Sequence, residues 1–421
     1  MAAPPDPAFA RLWTATTASL VGGRIAQIGI PLLAVQGLGA TPLEMGVLTA
    51  AQTIGVLLVG LPAGVVVDRV RRRSLMVTVS LVRGLALLTV PVALAAGWLG
   101  MGQLLAVALV LGIATVFFDL AQQAYLPALV PPDRLVAANA RMQASQSVST
   151  VAGSSAGGAL VAAAGAGATL LGSAALILGS AATLRRMPPE PDRTGNASGH
   201  RAVMAAMVDG LRWVGRDPVL RAIAACSATV NLFMSMLATL AVYFLAHDLG
   251  LSAATVGLIL AASGAGGVAA ALTARRWAAH FGTSRTIWLS LLATQPLALL
   301  LPLAGPGWRA ALFAAGWFAL GYGGALYSVT QLSLRQVICP DAMLGQVSAA
   351  TRVLAWGSVP LGGLAGGFLA TWLGARGAIC AAAAGLTLSA LWLLPTVIKA
   401  PLKSLELLQR TFDHRAPPKS L

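Results

Sequence analysis

Long apolar runs alternate with short polar interruptions along the whole 421-residue chain. Each run reaches about 20 residues, the length that carries a helix across about 30 Å of hydrocarbon. None shows the strict two-residue alternation of a barrel strand. The pattern predicts twelve membrane-spanning helices. In the first half they run from about Leu12 to Gly37, Pro42 to Val67, Leu75 to Ala96, Gly102 to Leu126, Ala138 to Ala163 and Ala168 to Leu184. In the second half they run from about Val219 to Ala246, Ala253 to Ala274, Thr286 to Ala304, Arg309 to Leu334, Leu344 to Leu373 and Ala378 to Ile398. The longest polar stretch, Arg185–Asp217, separates six spans from six. Its PPEPDRTGNASG segment has the composition of a flexible linker. Within the same stretch Met204, Met207, Val208, Leu211 and Val214 recur at helical spacing and predict a short interfacial helix. The expected organisation is a first bundle over residues 1–184, a linker over 185–217, a second bundle over 218–398 and a basic tail over 399–421. In the tail Leu402, Leu405, Leu408 and Phe412 share one face, expected to rest on the membrane surface.

Composition fits an all-α polytopic membrane protein: 57% of residues are hydrophobic, 10% are charged, and the mean hydropathy is +0.80. The opening residues, MAAPPDPAFARLW, lack the charged-then-apolar layout of a cleaved signal, so span 1 itself is expected to direct insertion. A net charge of +15 would suit nucleic acid, but the basic residues fall mostly in alternate loops between spans. That distribution points to a lipid bilayer as partner and away from nucleic acid. The loops after spans 2, 6 and 8 and the tail hold most of the arginines and lysines. The loops after spans 3 and 5 hold no charge, and those after spans 1 and 7 hold only Glu44 and Asp248. Both termini are therefore expected in the cytoplasm. The Ala-, Gly- and Arg-rich usage suggests a GC-rich bacterial genome, hence the plasma (inner) membrane.

Catalytic chemistry has no visible seat. Cys226, Cys339 and Cys380 are scattered, and His200, His247, His280 and His414 stand in loops or at span ends. No glycine-rich loop ends in Lys and Ser/Thr, so neither a nucleotide site nor an ATP-driven pump is expected. No metal, no cofactor and no enzyme activity are expected.

The two halves repeat one another. LGATPLEMGVL (Leu38–Leu48) aligns with LGLSAATVGLI (Leu249–Ile259), placing Gly46 on Gly257 and Gly55 on Gly266. At nearly the same offset Pro132-Asp133 aligns with Pro340-Asp341. Gly153, Gly157, Gly158 and Gly165 then align with Gly362, Gly366, Gly367 and Gly374.

The most specific stretch is GLPAGVVVDRVRRR, Gly60–Arg73. Gly64 has no side chain and would admit a close neighbouring helix. Asp68 stands one turn later, near the negative end of its helix dipole, where a carboxylate needs a partner. Arg69, Arg71, Arg72 and Arg73, or the N-terminus of span 11, are the candidates. A positive-inside loop explains the arginines but not the Gly-x-x-x-Asp spacing. That spacing resembles the loop between helices 2 and 3 of the major facilitator superfamily of transporters. AYLPALVPPDRLVAANARMQASQSV (Ala124–Val148) resembles the macrolide- and enterobactin-exporter-like branch, and the likeness is strongest from Pro31 to Gly158.

The resemblance implies two parallel six-helix bundles with a substrate site near the midplane between them. It implies efflux of amphipathic drugs, siderophores or secondary metabolites, usually as proton antiport, with Gly64, Asp68 and the loop arginines as the gate. A monomer is expected. Two positions depart from the branch: Gly23 replaces an acidic residue often found before the span 1 arginine, and Gln52 stands near a common carboxylate.

Charges at membrane depth usually face the interior of a bundle. Arg24 lies 12 residues past Leu12, roughly 18 Å deep at 1.5 Å per residue. It is either a tether to backbone carbonyls or a carboxylate, or a cavity-lining cation. Gln27 shares its face. Asp119 lies about 10 Å from the cytoplasmic end of span 4 by the same rise, with Arg83 of span 3 at similar depth. The two form either a structural ion pair or a proton-coupling site. Gln122, Gln123, Asn231, Tyr322, Tyr327 and Gln331 occupy spans 4, 7 and 10, which line the cavity in this fold, and are the remaining candidate substrate contacts. Secondary-active export of small molecules is the leading expectation. An importer on the same fold and a non-transporting membrane sensor are the alternatives.

Overall fold

A computed structural model describes the chain over residues 7–131, 134–187, 200–281, 283–338 and 341–393. Within those ranges the side chains of Leu61, Val65, Asp68, Val136, 200–207, Val219, Arg275, Ala278, 283–284, 332–338 and 341–349 lie outside the description. So do the PPEPDRTGNASG linker, Pro132-Asp133, Cys339, Pro340 and the tail with its apolar face.

α1 (Pro7–Leu32) continues into a wider turn, Leu33–Gly37, to make span 1. α2 (Pro42–Thr53) and α3 (Gly55–Arg69) make span 2, α4 (Arg72–Ala95) span 3 and α5 (Met101–Leu129) span 4. α6 (Leu135–Arg185) carries spans 5 and 6. After α7 (His200–Arg216), α8 (Pro218–Tyr243) makes span 7 and α9 (Ala253–Phe281) span 8. α10 (Thr283–Thr294) begins span 9, α11 (Ala310–Ile338) is span 10, and α12 (Asp341–Leu388) carries spans 11 and 12. Among the described residues ten helices are long and apolar enough to cross a membrane. Two of them fold back, which makes twelve crossings.

The folds in α6 and α12 rest on one glycine each. Gly165 has φ 79°, ψ 164° and Gly374 has φ 70°, ψ 166°, a left-handed conformation that a side chain strains. Packing fixes where each segment returns. Before Gly165, Gly153 lies against the Arg24 stem; after it, the Ser173 hydroxyl donates to the Gly22 carbonyl at 2.5 Å. Residues on both sides of Gly165 therefore meet one turn of α1. In the second half Gly362 packs on Leu232 and Gly385 on Phe233, so residues on both sides of Gly374 meet one turn of α8.

Local chemistry sets the remaining boundaries. Glu44 closes a capping box: the Thr41 hydroxyl accepts from the Glu44 N–H at 3.3 Å, and the carboxylate accepts from the Thr41 N–H at 2.8 Å. Span 9 departs from the continuous helix expected over Thr286–Ala304. Its α-helix stops at Thr294 and the chain tightens into a 3-10 segment over Gln295–Leu303. Pro296 explains the change, because it removes an N–H and disfavours α geometry in the residue before it. The predicted amphipathic helix is present as α7. Val214 is buried with Leu220, Ala224 and Ala350, so its inner face packs on spans 7 and 11, while Val208 and Trp213 stay exposed.

The halves meet at one end. A Cβ on Gly46 would lie 2.7 Å from the Gly363 carbonyl oxygen and 3.0 Å from the Gly367 Cα. A Cβ on Gly158 would lie 2.4 Å from the Ala253 carbonyl oxygen and 2.7 Å from the Gly257 Cα. The two contacts, span 2 on span 11 and span 5 on span 8, are equivalents under the internal repeat. The hydrophobic core of the second half joins the first at this end through Ile28, Leu32 and Val161. Toward the termini the cores separate, one around Phe118 and Met76, the others around Tyr327 and Val214. At Gly64, itself half-buried, no close approach is seen among the described residues: none of their atoms lies within 4 Å of where a Cβ would stand. Gly64 lies at the open end, and the tight helix contacts lie at the other.

Gly158→Ala should therefore push the closed end apart, because the obstructing atoms are backbone. Overpacking of this kind costs about 1–3 kcal/mol, enough to raise the opposite conformation from about fivefold to about a hundredfold. Spin-label distances between spans 5 and 8 report it, and an unchanged distribution would count against glycine-set closure.

Candidate substrate cavity

Asp119 on α5 is exposed, and the charges of Arg83, Arg24 and Arg352 all reach it. Arg24 and Arg83 belong to spans 1 and 3 and Arg352 to span 11, so cations of both halves act on this carboxylate.

Arg83 enters from α4 and is buried. Its Nη1 donates to the Ser19 hydroxyl at 2.9 Å, and its guanidinium lies over the Phe118 ring, 5.6 Å from the centroid. Its Nη2 occupies the space beside Gly23, 3.3 Å from where a Cβ would stand. Arg24 is half-buried and donates to the Gln27 side-chain amide oxygen Oε1 at 2.9 Å, with Gln27 itself exposed. Gly153 makes room for the Arg24 stem, because a Cβ there would stand 2.5 Å from the Arg24 Cβ.

The direct Asp119–Arg83 ion pair entertained from the sequence is not formed. Among the described residues neither Arg83 nor Arg24 makes a hydrogen bond or salt bridge to Asp119. Ser19 and Phe118 hold Arg83 instead, so its charge acts on Asp119 through space. Arg24, likewise, is tethered by its own neighbour Gln27.

Two of the arginines expected at the gate bind backbone carbonyls within the first half. Arg72 is buried and donates to the Ala124 carbonyl at 2.5 Å. Arg73 donates to the Leu184 carbonyl at 3.1 Å and to the Arg185 carbonyl. The Leu184 and Arg185 carbonyls end α6, where unpaired carbonyls and the dipole favour a cation; the Ala124 carbonyl lies in the last two turns of α5. Arg69 and Arg71 are exposed. The partner expected for Asp68 lies outside the described side chains.

The sequence matches the family model described as Major Facilitator Superfamily over residues 12–359 and 223–414. The chain belongs to the Major Facilitator Superfamily. No curated protein matches it in sequence. Among solved structures it is similar to a bacterial homologue of the human lysosomal transporter Spinster in an inward-facing, unoccupied conformation (15% identity, 92% of this chain and 97% of that one, TM-score 0.73). It is similar to the nucleoside transporter NupG (11% identity, 93% and 99%, TM-score 0.73). A third is a bacterial homologue of the iron transporter ferroportin, inward-facing (15% identity, 92% and 98%, TM-score 0.71). At these identities the likeness is one of fold. This member of the superfamily is a multi-pass membrane transporter, not an enzyme.

The other candidate contacts of this superfamily member are distributed unevenly. Gln123 is exposed and Gln122 half-buried on α5. Asn231 is half-buried and donates to the Ser227 carbonyl at 2.8 Å. Tyr322 shares a 2.7 Å hydrogen bond with Thr273. Tyr327 is buried, with its hydroxyl 2.9 Å from that of Ser227, which makes it a packing group of spans 7 and 10 in this conformation. Gln331 is half-buried, its side-chain oxygen without a hydrogen bond. Arg352 was missed by the sequence reasoning. The signal was present, a lone arginine in the glycine-rich apolar run of span 11, the same signal that singled out Arg24.

Gly153→Ala should destabilise the protein by about 1–3 kcal/mol through overpacking against Arg24. Gly179→Ala, where nothing lies within 4 Å of the added carbon, should be neutral or slightly stabilising. Thermal unfolding of the purified variants checks the contrast, and equal shifts would contradict it.

Proposed function

We propose that this transporter exports amphipathic small molecules by alternating access of its two six-helix halves, coupled to protons through Asp119. The observation that carries the reading is the exposed Asp119 carboxylate, free of a direct ion pair and acted on by cations from both halves. A charged group that bridges two bodies only through space can change its protonation without breaking the scaffold that holds it. The export direction is supported by the likeness of Ala124–Val148 and Gly60–Arg73 to exporters, and the inside-open geometry by the positive loops at the open end. Both termini then lie in the cytoplasm of a plasma-membrane protein that works as a monomer.

On this reading Gly64 and Asp68 serve the opposite half of the cycle. When the closed end opens, the terminus end must seal, and Asp68 then meets the loop arginines or the start of span 11. Gly64 is where that neighbour arrives.

Two outcomes are expected. In proteoliposomes with an imposed pH gradient, Asp119→Asn should lose gradient-driven export across a panel of antibiotics and siderophores while keeping downhill exchange. Full uphill export by that variant would remove Asp119 as the coupling group. Asp68→Asn should enrich the state open toward the termini, read as faster labelling of cysteines placed at that end, with expression near normal. Unchanged labelling would reject its gating role.

A further inference from the structure

We propose that Arg11, Arg73, Arg185 and Arg186 form a binding site for the phosphate of an anionic phospholipid, at the membrane border on the side of the termini. The site is independent of the cargo and of the direction of transport.

The C-terminus of α6 brings these residues together. Arg11, from the start of span 1, donates through Nη1 to the Arg186 carbonyl at 3.0 Å. Arg73, from the start of span 3, donates through Nε to the Leu184 carbonyl at 3.1 Å and through Nη2 to the Arg185 carbonyl. Two guanidiniums thus rest on three successive carbonyls, and the last two of those residues carry guanidiniums of their own. The platform is anchored, because Leu184 and Met187 are buried in one core with Phe9, Leu12 and Met76.

The charge gathered there is not balanced within the protein. Unpaired carbonyls and the helix dipole supply only about half a negative charge. Among the described residues none of the four arginines meets a carboxylate. Each carbonyl contact uses only part of a guanidinium fork, and Arg11, Arg185 and Arg186 are exposed. Planar donors with excess positive charge suit a phosphate, which guanidinium groups bind by paired hydrogen bonds.

Depth identifies that phosphate as a lipid's. Arg11 immediately precedes the expected start of span 1, Arg73 lies in the first turn of α4 and Arg185 ends α6, so all stand at one border of the bilayer. Trp13, two residues from Arg11, is 36% exposed, as suits an interfacial tryptophan. Toward the midplane Val82 and Leu85 of span 3 and Leu176 of span 6 are exposed, an apolar surface along which acyl chains lie. At the other border the loops of the same half carry Glu44 and no arginine. Basic clusters between spans at one border are where anionic headgroups collect.

The test is native mass spectrometry of the delipidated full chain, offered equimolar phosphatidylglycerol and phosphatidylcholine with matched acyl chains. Wild type should retain the anionic lipid over the zwitterionic one on the order of tenfold or more. The pair Arg185→Gln with Arg186→Gln leaves every accepting carbonyl in place and should lower that ratio about tenfold or more. Arg186→Gln alone should lower it about fivefold, and the corresponding pair of Lys substitutions should keep most of it. Arg216→Gln removes an exposed arginine from the last turn of α7, on the same side, and should leave the ratio unchanged. Millimolar glycerol 3-phosphate should not displace the lipid. Equal retention of both lipids by wild type, an unchanged ratio in the Gln variants, an equal fall in Arg216→Gln, or displacement by glycerol 3-phosphate would each overturn the proposal, the last in favour of a soluble anion.

Discussion

Two helix backbones can approach closely only where neither carries a side chain, and this constraint shapes the molecule. Within a bilayer the hydrophobic effect does not draw helices together, so contact must come from van der Waals packing and hydrogen bonds. At Gly46 against Gly363 and Gly367, and at Gly158 against Gly257, the added carbon would fall inside contact distance of backbone atoms. The halves are thus joined at one end by a contact with no ionic component. Such a contact is short-ranged and tolerates little deformation. It either forms fully or separates, which suits a switch between two states.

The open end follows from that closure. With the halves pinned together at the glycines, their cores diverge toward the termini. The repeat doubles the device, since span 2 on span 11 and span 5 on span 8 are related by the same internal alignment. The reversals at Gly165 and Gly374 set spans 6 and 12 behind this contact and bring Ser173 and Gly385 back onto spans 1 and 7.

Charge is handled differently at the two depths. At the ends of helices, Arg72 and Arg73 meet carbonyls of spans 4 and 6, and Arg376 of span 12 donates to the Pro302 and Ala304 carbonyls at 2.9 and 3.1 Å. These are caps that bind segments of one half together. At membrane depth, Arg24 and Arg83 are bound by neutral groups, Gln27 and Ser19, and their charge acts on Asp119.

Much of this was legible in the chain. Span lengths, the twelve crossings, the repeat, the amphipathic α7 and the family followed from periodicity, composition and motif, because membrane burial forces nearly every backbone group into helices and loop charge is local. Arg24, Arg83 and Asp119 stood out because ions at membrane depth are rare. Tertiary structure decided what those ions meet. Sequence distance could suggest a pair between Asp119 and Arg83, but only packing could show Ser19 and Phe118 holding Arg83 across Gly23. Likewise Gly64 and Gly158 have equal claims as sites of close approach when read as letters. Which one is in contact depends on how the two halves lean, a property of the assembled surfaces rather than of any local stretch.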